Sequence, residues 1–86
     1  MPEISRFFGI KIRIFYGDHS PPHFHAEYAG ESCVFDIRTL QILDGTLSPR
    51  AIGLVVEWAN LRKGEIEKAW DRASNLQDPG KVEPLK

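Results

Sequence analysis

The chain has little of several things, and each shortage excludes a class. It carries a single cysteine, Cys33, so no internal disulfide is available, and a reducing compartment, the cytoplasm, is expected. It has no apolar run long enough for a signal peptide or a membrane span. Charge of one sign is missing too: eleven Lys and Arg stand against twelve Asp and Glu, a formal net charge of −1. The halves are equally balanced, so no global basic field gathers nucleic acid. There is no Gly-rich phosphate loop, no nucleophile elbow and no CxxC pair, and no repeat or linker divides the chain. Eighty-six residues have room for one modest core, which excludes Rossmann enzymes and large barrels.

What is present is ordered. β-branched and aromatic residues dominate early, and Ala, Leu, Glu and Lys dominate late, which predicts strands first and helices second. Residues Phe8 to Tyr16 alternate, with Ile10, Ile12, Ile14 and Tyr16 on one face and Lys11, Arg13 and Phe15 on the other, as in a half-buried strand. Gly17 to Pro22 is turn chemistry. Second and third strands are predicted over His23–Ala29 and Ser32–Ile37, joined at Gly30-Glu31, with a short fourth run over Gln41–Leu43. Ser48-Pro49 marks a helix start, and the helix is expected to reach about Lys63, buried on most sides. Gly64 breaks the pattern. A stripe of Ile66, Ala69, Trp70, Ala73 and Leu76 predicts a second, amphipathic helix, and the polar tail from Gln77 is expected to be irregular. Trp58 and Trp70 read as core anchors, and Cys33 as a small buried hydrophobe.

The expected architecture is therefore a single α+β domain over residues 1–86, with a three- or four-stranded antiparallel sheet and two C-terminal helices packed on one face. A one-residue slip would expose every isoleucine, so the helices should cover the Ile10, Ile12, Phe24 and Phe35 face. The other face then collects Lys11, Arg13, His23, His25, Glu27 and Asp36, with Arg38 beyond.

All three histidines fall within seven residues, His19, His23 and His25, beside Asp18 and a proline-stiffened loop. On a strand, His23 and His25 point the same way and can converge on one ligand, with His19 or Asp18 as a third arm. Three readings follow. One is a metal site of His19, His23 and His25 for a divalent transition metal, although no resident cofactor is expected. Gly17-x5-His23-x-His25 echoes a cupin motif, but the glutamate falls at Glu31, too late, and the second cupin motif is absent. Another reading is acid–base work on a phosphodiester by His19, His23, His25 and Glu27, with Lys11, Arg13 and Arg38 as phosphate contacts. The third makes His23 and His25 solvated positions on the outer sheet face, with His19 bonded to backbone.

Four segments carry a family resemblance: Ile4-Ser5-Arg6-Phe7-Phe8-Gly9-Ile10, then Asp18-His19-Ser20-Pro21-Pro22-His23-Phe24-His25-Ala26-Glu27-Tyr28, then Val56-Glu57-Trp58-Ala59, then Val82-Glu83-Pro84-Leu85. Together they resemble the bacterial family known as domain of unknown function 4160. The family's turn after the third strand carries a glycine where this chain has Leu40. The resemblance implies a small prokaryotic protein, often encoded beside a domain-of-unknown-function 2442 partner and for that reason associated with toxin–antitoxin modules. It brings no reaction and no catalytic residues with it. The combined expectation is a cytoplasmic, toxin-like component acting on RNA through the His23/His25/Arg13 face, opposed by that antitoxin-like partner. The alternatives are a protein-binding or homo-oligomerising module and a histidine-based metal-binding protein, none of them membrane-bound.

Overall fold

The structure, a computed structural model, describes residues 2–86. Five strands precede two helices: β1 (Glu3–Phe7), β2 (Ile10–Arg13), β3 (His23–Tyr28), β4 (Glu31–Asp36), β5 (Ile42–Gly45), α1 (Pro49–Leu61) and α2 (Lys63–Ser74). The sheet is an antiparallel meander in the order β1-β2-β3-β4-β5, which makes β3 its central strand. The α+β class is as expected, but the sheet has five strands where three or four were expected.

The added strand is β1, and the reason it was hidden is local. A register shift between Glu3 and Ser5 places Ile4 and Ser5 both in buried positions, so the period-two alternation fails there. The expected first strand, Phe8–Tyr16, is also shortened, because Phe8 and Gly9 form the β1–β2 turn with φ of 50° and 81°. Two positive φ values are what a tight hairpin turn needs to match strand twist, and Phe is an unusual residue to supply the first. Ala29 and Gly30 repeat the arrangement between β3 and β4, at φ 52° and 81°. Leu40, where the family's glycine would stand, also has a positive φ, 62°.

The inner face of the sheet is apolar: Ile4, Phe7, Ile10, Ile12, Phe24, Ala26, Cys33 and Phe35 are all buried. Trp58 of α1 closes over them, 5.3 Å from the Phe7 ring and 5.6 Å from that of Phe24, and is fully buried. Ser48 caps α1 by accepting from the Ala51 amide, and Pro49 opens the helix. Only Ala51, Val55, Trp58 and Ala59 of α1 are buried, fewer than its apolar content suggested, and Leu61 is 64% exposed. The break between helices falls at Arg62, whose φ of −121° leaves the helical region, and Gly64 lies inside the first turn of α2. The α2 stripe is Ile66, Ala69, Trp70 and Ala73, while Leu76 lies beyond the helix at φ 60°, exposed.

The tail is irregular, as expected, yet it is docked. Pro79, Val82 and Leu85 are buried. The Val82 amide donates to the Ile4 carbonyl at 2.7 Å, the Lys81 ammonium to the Glu3 carbonyl, and the Trp58 indole N–H to the Glu83 carbonyl at 2.8 Å. No helix among the described residues is long and apolar enough to cross a membrane.

Candidate histidine–aspartate centre

The outer face of the sheet is assembled by register. Lys11 stands opposite Glu27 and Arg13 opposite His25 across β2–β3, and His23 opposite Asp36 and His25 opposite Val34 across β3–β4. Lys11, Arg13, His23, His25 and Glu27 therefore share one face, all half-buried. His25 sits near the middle of the central strand, with sheet on both sides.

The loop from Ile14 to Pro22 brings Asp18 over this face. It is tied on both sides of Asp18: the Gly17 amide donates to the Ala73 carbonyl of α2 at 3.1 Å, and the Pro22 carbonyl accepts from the Ile37 amide at 3.0 Å. These ties fix where Asp18 points. Its Oδ2 lies 3.0 Å from His23 Nε2 and 3.6 Å from His25 Nε2. One ligand-type atom from each of Asp18, His23 and His25 lies within 4.8 Å of the others. His19 is exposed and outside this group of three, so the loop's contribution is the aspartate and not the histidine. Arg38 is exposed in the turn after β4, and its carbonyl accepts from Lys63 Nζ.

The two histidines are held differently. His23 Nδ1 is 2.7 Å from the Pro21 carbonyl oxygen, which can only accept, so Nδ1 carries the proton. The His23 ring is also packed 5.1 Å from the Trp70 ring of α2 and is only 14% exposed. His25 meets the Phe15 ring edge-on at 4.3 Å. Its Nε2 is buried without a hydrogen-bond partner among the described residues, the Asp18 oxygen at 3.6 Å being too far. Burial, and then the charge of His23, push the His25 pKa below its ordinary value, outweighing the attraction of Asp18 and Glu27. His25 is thus a neutral imidazole at neutral pH, with a lone pair to offer. Arg13 Nε lies 3.0 Å from Glu27 Oε2, an ion pair diagonal to the Arg13–His25 pair.

Contacts with Trp70, Phe15 and the Pro21 carbonyl were not legible from spacing, because they depend on how the loop folds back over the sheet. The solvated-face reading does not describe His23, wedged as it is between Asp18, Pro21 and Trp70. Cys33 is buried on the inner face, and burial followed by the nearby Asp44 charge pushes its thiol up, away from reactivity.

Fold and site together define a small α+β domain with an Asp-His-His cluster laid on the outer face of an antiparallel sheet. The profile of the domain of unknown function DUF4160 matches residues 9–71, and the chain belongs to that family. The matched span contains the whole cluster, while β1 and the docked tail lie outside it. No curated protein and no solved structure matches the chain.

Proposed function

We propose that this domain is a transition-metal-binding module whose ion is held by Asp18 Oδ2, His23 Nε2 and His25 Nε2. One observation carries the reading. With Nδ1 of His23 committed as a donor to Pro21, a neutral ring turns a lone pair at Nε2 toward the Asp18 carboxylate, 3.0 Å away. Two acceptors that close need a positive centre between them, either a second proton or a metal ion. The second option explains more. It also uses the buried Nε2 of His25, and a ring nitrogen fixed by a backbone carbonyl is the outer hydrogen bond that metal-binding histidines make. The spacing agrees: Zn–N bonds of about 2.0–2.1 Å in a tetrahedron set neighbouring ligand atoms about 3.3 Å apart. The separations of 3.0 and 3.6 Å bracket that value.

The test is a titration of metal-stripped protein with Zn²⁺ and Co²⁺, read by elemental analysis and calorimetry. One ion per chain is expected, bound roughly 100-fold or more weakly in Asp18→Asn and His25→Ala and unchanged in His19→Ala. Equal affinity in all four proteins, or no stoichiometric binding, refutes the reading.

A second reading uses the same face without an ion, and one observation favours it. His25, neutral and with no hydrogen bond at Nε2, stands directly opposite Arg13, so a proton acceptor and a cation are side by side where a phosphodiester could lie. On this reading the protein is a toxin-like ribonuclease restrained by a domain-of-unknown-function 2442-like partner. Expression without that partner should then arrest growth and degrade bulk RNA, and His25→Ala should abolish both, in chelator as well as without it. Harmless expression with intact RNA removes this reading.

A further inference from the structure

We infer that the ion of the Asp18–His23–His25 centre takes a phosphate as its outer ligand, and that Arg13 holds the same phosphate from β2. The inference rests on the metal reading above and names what the centre is for. Three protein atoms leave a tetrahedral ion one position for solvent or ligand. A divalent ion with one carboxylate and two neutral imidazoles carries a net charge of +1, so the preferred outer ligand is an anion.

The surrounding face selects which anion. Arg13 is the direct cross-strand neighbour of His25, and such pairs have their Cβ atoms about 4.5–5.5 Å apart, within the span of a group with oxygens on several sides. Glu27 pairs with Arg13 Nε, the inner nitrogen of the guanidinium, and so orients the side chain; it is a positioning residue. Lys11 lies two residues along β2 on the same face and adds another positive charge opposite Glu27. Other carboxylates share this face: Glu3, opposite Arg13 across β1–β2, is paired with Arg6, Asp36 is engaged by the Arg38 and Thr39 amides, and Asp44 stands opposite Val34. A guanidinium fork beside a cationic ion suits a phosphate with more than one oxygen to offer.

The experiment uses Co²⁺-loaded full-length protein and its visible absorption. Inorganic phosphate should perturb the cobalt spectrum saturably. In Arg13→Gln the phosphate midpoint should rise at least about tenfold while the spectrum without phosphate stays as in the wild type, which also shows that the variant is folded. Glu27→Gln should weaken phosphate in the same direction by a smaller factor, and Arg13→Lys should fall between wild type and Arg13→Gln. Dimethyl phosphate separates the sources. Saturable binding of both compounds supports the inference with a nucleic-acid backbone as the source, and binding of inorganic phosphate alone supports it with a phosphate monoester. A cobalt spectrum that neither compound moves, or equal phosphate midpoints in wild type and Arg13→Gln, overturns the inference and leaves the metal reading standing. Failure to bind cobalt at all overturns both.

Discussion

Leu85 lies in the irregular segment after α2, yet it is only 9% exposed and packs with Val82 into the same core as Trp58. Replacing it with alanine removes three carbons from that core, which at about 0.8 kcal/mol per buried methylene amounts to about 2.4 kcal/mol. The cavity contribution is small, because a segment without regular secondary structure can relax into the space, so the total should sit near the lower end of the roughly 2–5 kcal/mol range for such truncations. A second cost enters if the tail lifts away: the buried Trp58 indole N–H loses the Glu83 carbonyl. Leu85→Ala should therefore destabilise the domain by about 2–3 kcal/mol. In a domain of this size that lowers Tm by roughly 8–24 °C, at about 4–8 °C per kcal/mol. Urea unfolding followed by Trp fluorescence measures it as a lower midpoint with an unchanged slope. Lys86→Ala, an exposed neighbour, is the control and should stay within about 0.5 kcal/mol of the wild type. A Leu85→Ala change that small would refute the reasoning, since it would mean that the tail does not contribute to the core in solution.

Ala29 is exposed and sits at φ 52°, a conformation that costs an L-residue about 1–2 kcal/mol, so Ala29→Gly should raise stability by roughly 0.5–1 kcal/mol in the same denaturation assay. Asp36 accepts from the Thr39 and Arg38 amides at 2.9 and 2.7 Å, and Asp36→Ala should cost roughly 0.5–1.5 kcal/mol at pH 7. The Thr39 amide first, joined by the Arg38 amide, the Thr39 hydroxyl and the Arg38 charge, holds the Asp36 carboxyl below its ordinary value against an opposing desolvation second only to the Thr39 amide. A carboxyl lowered on folding stabilises the native state above its unfolded pKa, and that contribution is lost as pH falls through the folded value. The gap between wild type and Asp36→Ala should thus be constant from pH 7 to about pH 5 and narrow below about pH 4; a gap that widens in acid contradicts this account.

How much of this was legible in the sequence depended on whether neighbours in space were also neighbours in pattern. β3 and β4 follow simple alternation, and Ser48-Pro49 marks the start of α1, because cap and strand chemistry act over two or three residues. β1 did not show itself, since its irregular register sets Ile4 and Ser5 both inward and its turn uses Phe8 where Asn or Gly is usual; Gly9 was the one available signal. The shared face of Arg13, His25 and Glu27 followed from periodicity alone. The role of Asp18 over His19 did not, because the choice between adjacent loop residues is made by the Gly17–Ala73 and Pro22–Ile37 hydrogen bonds, contacts across 56 and 15 positions that no local pattern encodes. The packing of Trp70 against His23 was hidden for the same reason.

The bond from Val82 to Ile4, with the one from Lys81 to Glu3, brings the two ends of the described chain side by side on β1. Topologically the polypeptide is almost a ring. A short flexible joint could connect the ends while a new opening is made at the exposed Ala29-Gly30 turn, giving a circular permutant that keeps every strand pairing except that turn's covalent link. In such a permutant the Asp18–His25 segment would lie close to the new C-terminus and β4 would begin the chain. The order in which the elements are synthesised could then be varied independently of the arrangement in which they pack.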